Sequence, residues 1–204
     1  MLDDKMKEDI LKIAKQEFLE QGFLGASTRN IAQKAGLTTG ALYNRFMGKE
    51  ELFEEIVGKS AKELLDLFMY SQEEFETFNY DMQIETMFAY TSEKVAHMLD
   101  IVYSDPDAFY LITTKSSGSR YEFYIDNMVE LEVNSTAKFM EVLKSKGIKT
   151  VDMDLTLLHL LCTAMFNMFF EPIRHQMDKK TAENYLNTAF DFFNAGWAKL
   201  FGFK

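Results

Sequence analysis

Ser27-Thr28-Arg29-Asn30-Ile31-Ala32-Gln33-Lys34-Ala35-Gly36-Leu37-Thr38-Thr39-Gly40-Ala41-Leu42-Tyr43-Asn44-Arg45-Phe46 is the stretch that decides the fold. Ser27 is a good N-cap, so a short helix is expected over Thr28 to Ala35. Gly36 then supplies the turn, because a left-handed backbone position suits a residue without Cβ. Thr38 caps the next helix, which runs through Tyr43 to about Phe46. Ala32 is small where the two helices must cross, and Leu37, Leu42 and Phe46 read as core. Two short helices joined by a glycine turn make a helix-turn-helix. Upstream, Ile10, Leu11, Ala14 and Phe18 mark one face of a first helix, which Gln21-Gly22 stops.

Working outward, the residues Ile10-Leu11, Ala14, Phe18, Gly22-Phe23, Ser27-Thr28-Arg29, Ile31-Ala32, Ala35-Gly36-Leu37-Thr38, Gly40, Leu42-Tyr43, Phe46, Lys49-Glu50 and Leu52 resemble the TetR family in order and spacing, in one frame without a gap. Two positions depart from that pattern. Asn30 stands where an acidic residue is usual, which weakens a capping box, and Arg45 stands where His or Tyr is usual. The resemblance implies that the third helix enters the major groove of double-stranded operator DNA. Thr38, Thr39, Gly40, Ala41, Tyr43, Asn44 and Arg45 are then the candidate contacts. Gly40 and Ala41 permit close approach to thymine methyls, Asn44 and Arg45 can read or clamp, and Tyr43 can donate to a phosphate. Thr28 and Arg29 open the second helix and Lys49 opens the fourth, all natural phosphate anchors.

Net charge is −10, an unpromising total for a nucleic-acid partner, but its distribution is uneven. Residues 1–49 carry +2 and the remainder −12, and between 21 and 49 Arg29, Lys34, Arg45 and Lys49 stand without a single acid. A basic end on an acidic body steers DNA to that end. One cysteine, Cys162, excludes an intramolecular disulfide framework and points to a reducing compartment. The N-terminus lacks an apolar signal core. The longest uncharged run, Leu155 to Phe170, has 16 residues, short of the about 20 that a spanning helix needs. A cytoplasmic protein with no membrane partner is expected.

The body reads as long amphipathic helices. Ile84, Met87, Phe88, Thr91, Val95, Met98, Leu99 and Val102 form one stripe. Asp105-Pro106 opens a shorter helix with proline at its preferred first position, and Ser116-Ser117-Gly118-Ser119 breaks it. Tyr121, Tyr124, Met128, Leu131, Ser135, Phe139 and Val142 form the next stripe, ending at Gly147. The span from Asp105 to Glu132 also resembles, more weakly, ligand-domain sequences in a subset of the family. Leu155–Ile173 is apolar nearly all round, and the final helix carries two stripes, Leu186/Ala189/Phe190/Phe193/Trp197/Leu200 and Tyr185/Phe192/Gly196. Two helices with more apolar faces than one small domain can cover suggest a homodimer interface, with Leu158, Met165, Phe190, Phe193 and Trp197 against the partner. The family resemblance implies the same pair of helices.

The fold expected is all-α: a three-helix DNA-binding domain over 1–48, then a ligand-binding and dimerisation domain of about six helices over 49–204. Past residue 50 lie 16 of 19 Phe, 10 of 13 Met and 8 of 9 Tyr, a composition suited to an adaptable apolar lining. Met87, Tyr90, Met98, Tyr124, Met128, Phe166 and Asn167 are expected to bound a pocket for a small, largely apolar effector. Glu132 and Lys138 flank their helix's stripe, about 60° from its centre at 100° per residue, and Lys94 sits similarly on its own. An acid in an aromatic cavity favours a lipophilic cation, whereas Lys94 or Lys138 favours an acyl carboxylate; the sequence leaves both open. His159 and Asn167 are polar groups on a helix with few alternatives to burial. No phosphate loop, cysteine pair or metal-ligand spacing is present, so neither enzyme chemistry nor a cofactor or metal is expected. The main rival is a helical DNA-binding protein that senses no ligand, which a closed, side-chain-filled core would favour.

Overall fold

A computed structural model describes residues 2–203. Among these residues there are nine helices and no strand: α1 (Leu2–Gly25), α2 (Thr28–Lys34), α3 (Thr39–Tyr43), α4 (Lys49–Thr77), α5 (Tyr80–Ser104), α6 (Pro106–Thr114), α7 (Tyr124–Ser145), α8 (Leu155–Arg174) and α9 (Lys179–Phe201). The all-α architecture is as the sequence reads, with a three-helix head followed by six further helices.

The chain packs as two compact units, one of residues 1–63 and 105–124, the other of 64–104 and 125–204. Packing therefore does not divide the chain after residue 48. The first unit takes in α6 and the turn segment beyond it, because that segment is tied to the head by polar contacts as well as by apolar ones. The Phe23 amide donates to the Lys115 carbonyl at 2.7 Å. Lys15 pairs with Asp107 at 2.6 Å, and Ser60 donates to Asp105 at 2.9 Å. Arg120 reaches Glu50 and Glu54 at 3.1 and 3.2 Å, and the Tyr121 hydroxyl donates to Glu54 at 2.7 Å. Beneath these lies an aromatic core: Phe53 meets Phe18 and Phe23 edge-on, with centroids 5.0 and 5.3 Å apart, a favoured ring geometry. The helical geometry of α1 fails at Gly22 (φ +68°), where the stop was expected.

The second unit is built from the end of α4 with α5, α7, α8 and α9. Its helix starts are capped as the sequence allows: Asp154 accepts from Leu157 N at 2.8 Å and Asp178 from Thr181 N at 3.1 Å. Gly202 closes α9 in the left-handed conformation (φ +78°). The α7 stripe departs from expectation. Met128, Val129, Val133, Phe139, Met140 and Leu143 are buried, while Leu131 and Val142 are exposed. A spacing of alternating threes and fours drifts across a helix of 3.6 residues per turn, and the buried face follows the true period. Tyr121 precedes α7, in the turn segment. By length and hydropathy α8 is a candidate membrane span, yet its inner face, including Leu158, Cys162, Phe166 and Phe170, is buried in this unit.

Candidate DNA interface and effector cavity

The head of the first unit is organised by its caps. Ser27 Oγ accepts from the Asn30 amide at 3.4 Å and Thr38 Oγ1 from the Ala41 amide at 3.1 Å. Gly36 turns the chain at φ +69°, and the Leu37 amide returns to the Ala32 carbonyl at 2.9 Å. Ile31, Ala32, Leu42 and Phe46 are buried beneath, while Leu37 is half-buried. The opposite face is left to solvent: Arg29, Thr38, Gly40, Tyr43, Asn44 and Arg45 are exposed, and Thr28, Thr39 and Ala41 half-buried. A Cβ added at Gly40 would meet nothing within 4 Å, so the middle of α3 is bare backbone of the kind that approaches a surface closely. The Tyr43 and Thr28 hydroxyls lie 3.3 Å apart, which joins the ends of α2 and α3 in one hydrogen-bonding patch.

Lys49 differs from the expected solvated anchor. Its ammonium donates to the carbonyls of Leu24 and Ala26 at 3.1 and 3.4 Å and stands 4.6 Å from the Phe23 ring centroid. It is half-buried, and its first task is to hold the bend between α1 and α2.

Sequence reasoning passed over Glu17. Only 2% exposed, its carboxylate accepts from the Ser27 amide, Asn30 Nδ2 and Lys34 Nζ at 3.4, 3.2 and 2.8 Å. The Lys34 hydrogen bond is the main reason that its pKa lies below the ordinary value. Asn30 thereby gains a partner that an acidic residue there could not have had, since two carboxylates would repel.

The second unit holds a partly open cavity of about 150 Å³. Met87, Tyr90, Met98 and Phe166, all expected on it, do line it, and so do Met165, Phe190 and Trp197, which had been expected to face a partner. The other expected residues lie elsewhere. Tyr124 belongs to the first unit and donates to the Ala61 carbonyl at 2.7 Å. Met128 is fully buried off the cavity. Asn167 donates to the Thr163 carbonyl at 3.0 Å and accepts from Arg174 at 2.9 Å. Missed by the sequence reading were the walls from α4, Phe68, Ser71, Gln72 and Phe75, and from α7, Thr136 and Phe139. A scatter of aromatics over five helices carries no signal of which will converge.

Two polar groupings meet this cavity. On one side Lys94, its side chain 14% exposed, pairs with Glu74 at 3.0 Å, and the Tyr90 hydroxyl donates to Glu74 at 2.7 Å. Hydrogen bonds from Tyr90, Lys94 and Tyr70 hold the Glu74 carboxyl down at about 2. On the other side Glu132 accepts from Gln72 Nε2 at 2.5 Å and Thr136 Oγ1 at 3.2 Å. Burial pushes its pKa up against those two hydrogen bonds. Lys138 points out and pairs with Glu76 at 3.0 Å. His159, expected to be buried, lies at the surface 3.2 Å from Glu130.

The apolar surface left outside is not the one expected. Leu158, Phe190 and Trp197 are buried within the chain, and Phe193 is half-buried. Leu157, Leu160, Tyr185 and Phe192 are exposed on α8 and α9, Leu160 at 60% and Phe192 at 75%.

Residues 10–56 match the family model described as bacterial regulatory proteins, tetR family. Over 103 residues the chain is 27% identical to the HTH-type transcriptional repressor KstR2 of Mycolicibacterium smegmatis, a match that covers 48% of each protein. Over 54 residues it is 41% identical to the HTH-type transcriptional repressor BepR of Brucella suis, covering 26% of each. The chain thus matches about half the length of these relatives or less. Among solved structures, a transcriptional regulator of the TerR/AcrR family from Aquifex aeolicus superposes with a TM-score of 0.57 at 20% identity, covering 92% of this chain and 98% of that one. A TetR-family member from Streptomyces coelicolor gives 0.59 at 16% identity, covering 96% and 90%. At such identities the structural likeness is one of fold.

Proposed function

We propose, from the match of residues 10–56 to the tetR family model, that the chain is a TetR-family regulator, a homodimeric repressor of palindromic operator DNA released by a small, largely apolar effector. Residues 1–48 act as the DNA-binding domain and 49–204 as the ligand-binding and dimerisation domain. The observation that carries the reading is the bare outer face of α3, with Gly40 open to solvent above a capped and buried helix pair. Thr39, Gly40, Ala41, Asn44 and Arg45 meet base edges, while Thr28, Arg29, Thr38 and Tyr43 hold the phosphates. Lys49 supports this face and offers its remaining donor to the backbone. The protein acts in solution in the cytoplasm, and the exposed apolar stripes of α8 and α9 meet their copies in a second protomer instead of lipid.

The cavity supports an effector against the rival that senses none, since an aromatic-lined pocket with few polar groups is the usual form of a small-molecule site. Effector binding favours a dimer whose reading heads no longer match the operator spacing. Gly40→Glu is the test of the DNA half. Glutamate is a better helix former than glycine by a few tenths of a kcal/mol, so the variant keeps its melting temperature. Its carboxylate would meet the floor of the groove, and DNA binding measured by fluorescence anisotropy should vanish. A folded Gly40→Glu variant that binds operator like the parent would remove α3 from the groove.

A further inference from the structure

Resting on the reading of this cavity as the effector site, we propose that the effector is a protonated hydrophobic amine, its ammonium seated on Glu132 and its hydrocarbon on the aromatic walls. Among the described residues, Glu132 is held by neutral donors alone. Both of its oxygens accept hydrogen bonds, Oε2 from Gln72 and Oε1 from Thr136. Donors aimed at both oxygens favour the ionised form. Among the described residues, however, no Lys, Arg or His forms an ion pair with it. A carboxylate taken out of water without a counter-ion is costly unless one arrives, and Glu132 is one of the residues that line the cavity. A ligand ammonium supplies the missing charge.

The remaining walls agree. Phe68, Phe75, Phe139, Phe166 and Trp197 line the cavity; aromatic side chains bury hydrocarbon, and their faces attract a cation. The one lysine on the lining, Lys94, is already neutralised by Glu74, which stays ionised down to about 2. An acyl carboxylate would find that lysine occupied and Glu132 repelling it. The volume of about 150 Å³ suits a molecule of one ring with a short side chain.

Trp197 is the only tryptophan in the chain and lies on the cavity wall, so its emission reports occupancy directly. Three matched probes separate the ligand classes: 2-phenylethylamine, the neutral 2-phenylethanol and the anionic 3-phenylpropanoate. At neutral pH the amine should bind at least about ten-fold more tightly than either of the others. Glu132→Gln should weaken the amine by about thirty-fold or more and leave the alcohol nearly unchanged. A second measurement needs no variant. In the intact protein the amine's affinity should fall as pH drops through the raised pKa of Glu132, whereas the alcohol's stays level. Burial keeps the neighbouring Cys162 thiol and the Tyr90 hydroxyl neutral over that range, and Glu74 does not titrate there. Tighter binding of the acid or the alcohol, or an amine affinity indifferent to both Glu132→Gln and pH, overturns the proposal. If 3-phenylpropanoate binds and releases DNA, the effector reading stands and the amine assignment alone falls. If none of the three perturbs Trp197, both fall.

Discussion

Glu17 joins three parts of the reading head through one carboxylate: the Ser27 amide at the N-cap of α2, the Asn30 side chain and the Lys34 ammonium. Replacing it with Ala removes the acceptor that the half-buried Ser27 amide and the exposed Asn30 and Lys34 side chains share, which costs about 1 kcal/mol, since the exposed donors turn to water. The pH dependence has a definite sign. Its pKa is lowered in the folded chain from an ordinary 4.5, so the stabilisation is present above 4.5 and is lost as pH falls through the folded value. Urea unfolding of the parent should weaken over that acid window, and Glu17→Gln should weaken less; equal slopes would mean that Glu17 contributes nothing through its charge. Arg45 and Lys49 separate in the same way. Arg45→Ala should reorder operator variants, by about 1–3 kcal/mol at one base pair. Lys49→Ala should lower affinity for all of them alike and also reduce stability, because its ammonium holds the Leu24 and Ala26 carbonyls. Equal effects of both substitutions on every operator would make Arg45 a clamp. At this scale the sequence was most legible where a backbone conformation demands a residue type, as at Ser27, Gly36 and Thr38. It was silent on Glu17, because an acid ten positions before a cap has no local signature.

Helix α9 shows what periodicity can and cannot tell. Both of its stripes are apolar, and spacing alone does not say which one turns inward. Leu186, Phe190 and Trp197 are buried within the chain, leaving Tyr185 and Phe192 outside, as Leu157 and Leu160 of α8 also are. The proposed subunit interface accordingly lies on the second stripe. Phe192→Glu should give a monomer in sedimentation with its helicity intact, since that side chain is already 75% exposed in the single chain, and operator affinity should collapse with the dimer. Phe193→Glu should cost stability in addition, its ring being half-buried. A Phe192→Glu protein that remains dimeric would move the interface off α8 and α9. The place of α6 was likewise beyond the sequence. Its cap and proline fix where the helix starts, but long-range contacts invisible to local spacing, such as the Phe23–Lys115 backbone bond, the Lys15–Asp107 pair and the Ser60–Asp105 hydrogen bond, join it to the head.

For the molecule as a whole, the charge distribution and the helix-turn-helix point to one end, and the cavity to the other half of the sequence. The head was legible because its residues recur in fixed order over 10–56, where the family model also matches. The body was legible only as amphipathic helices, since its aromatics serve core, cavity and surface alike. The central claim is that two copies of this head read one site. Selection from a pool of random duplexes tests it without any knowledge of the regulated genes. The account predicts enrichment of a near-palindrome whose half-sites are read on one face of the duplex, about 34 Å or one helical turn apart. Enrichment of a single unrepeated half-site, or of no sequence at all, would contradict it.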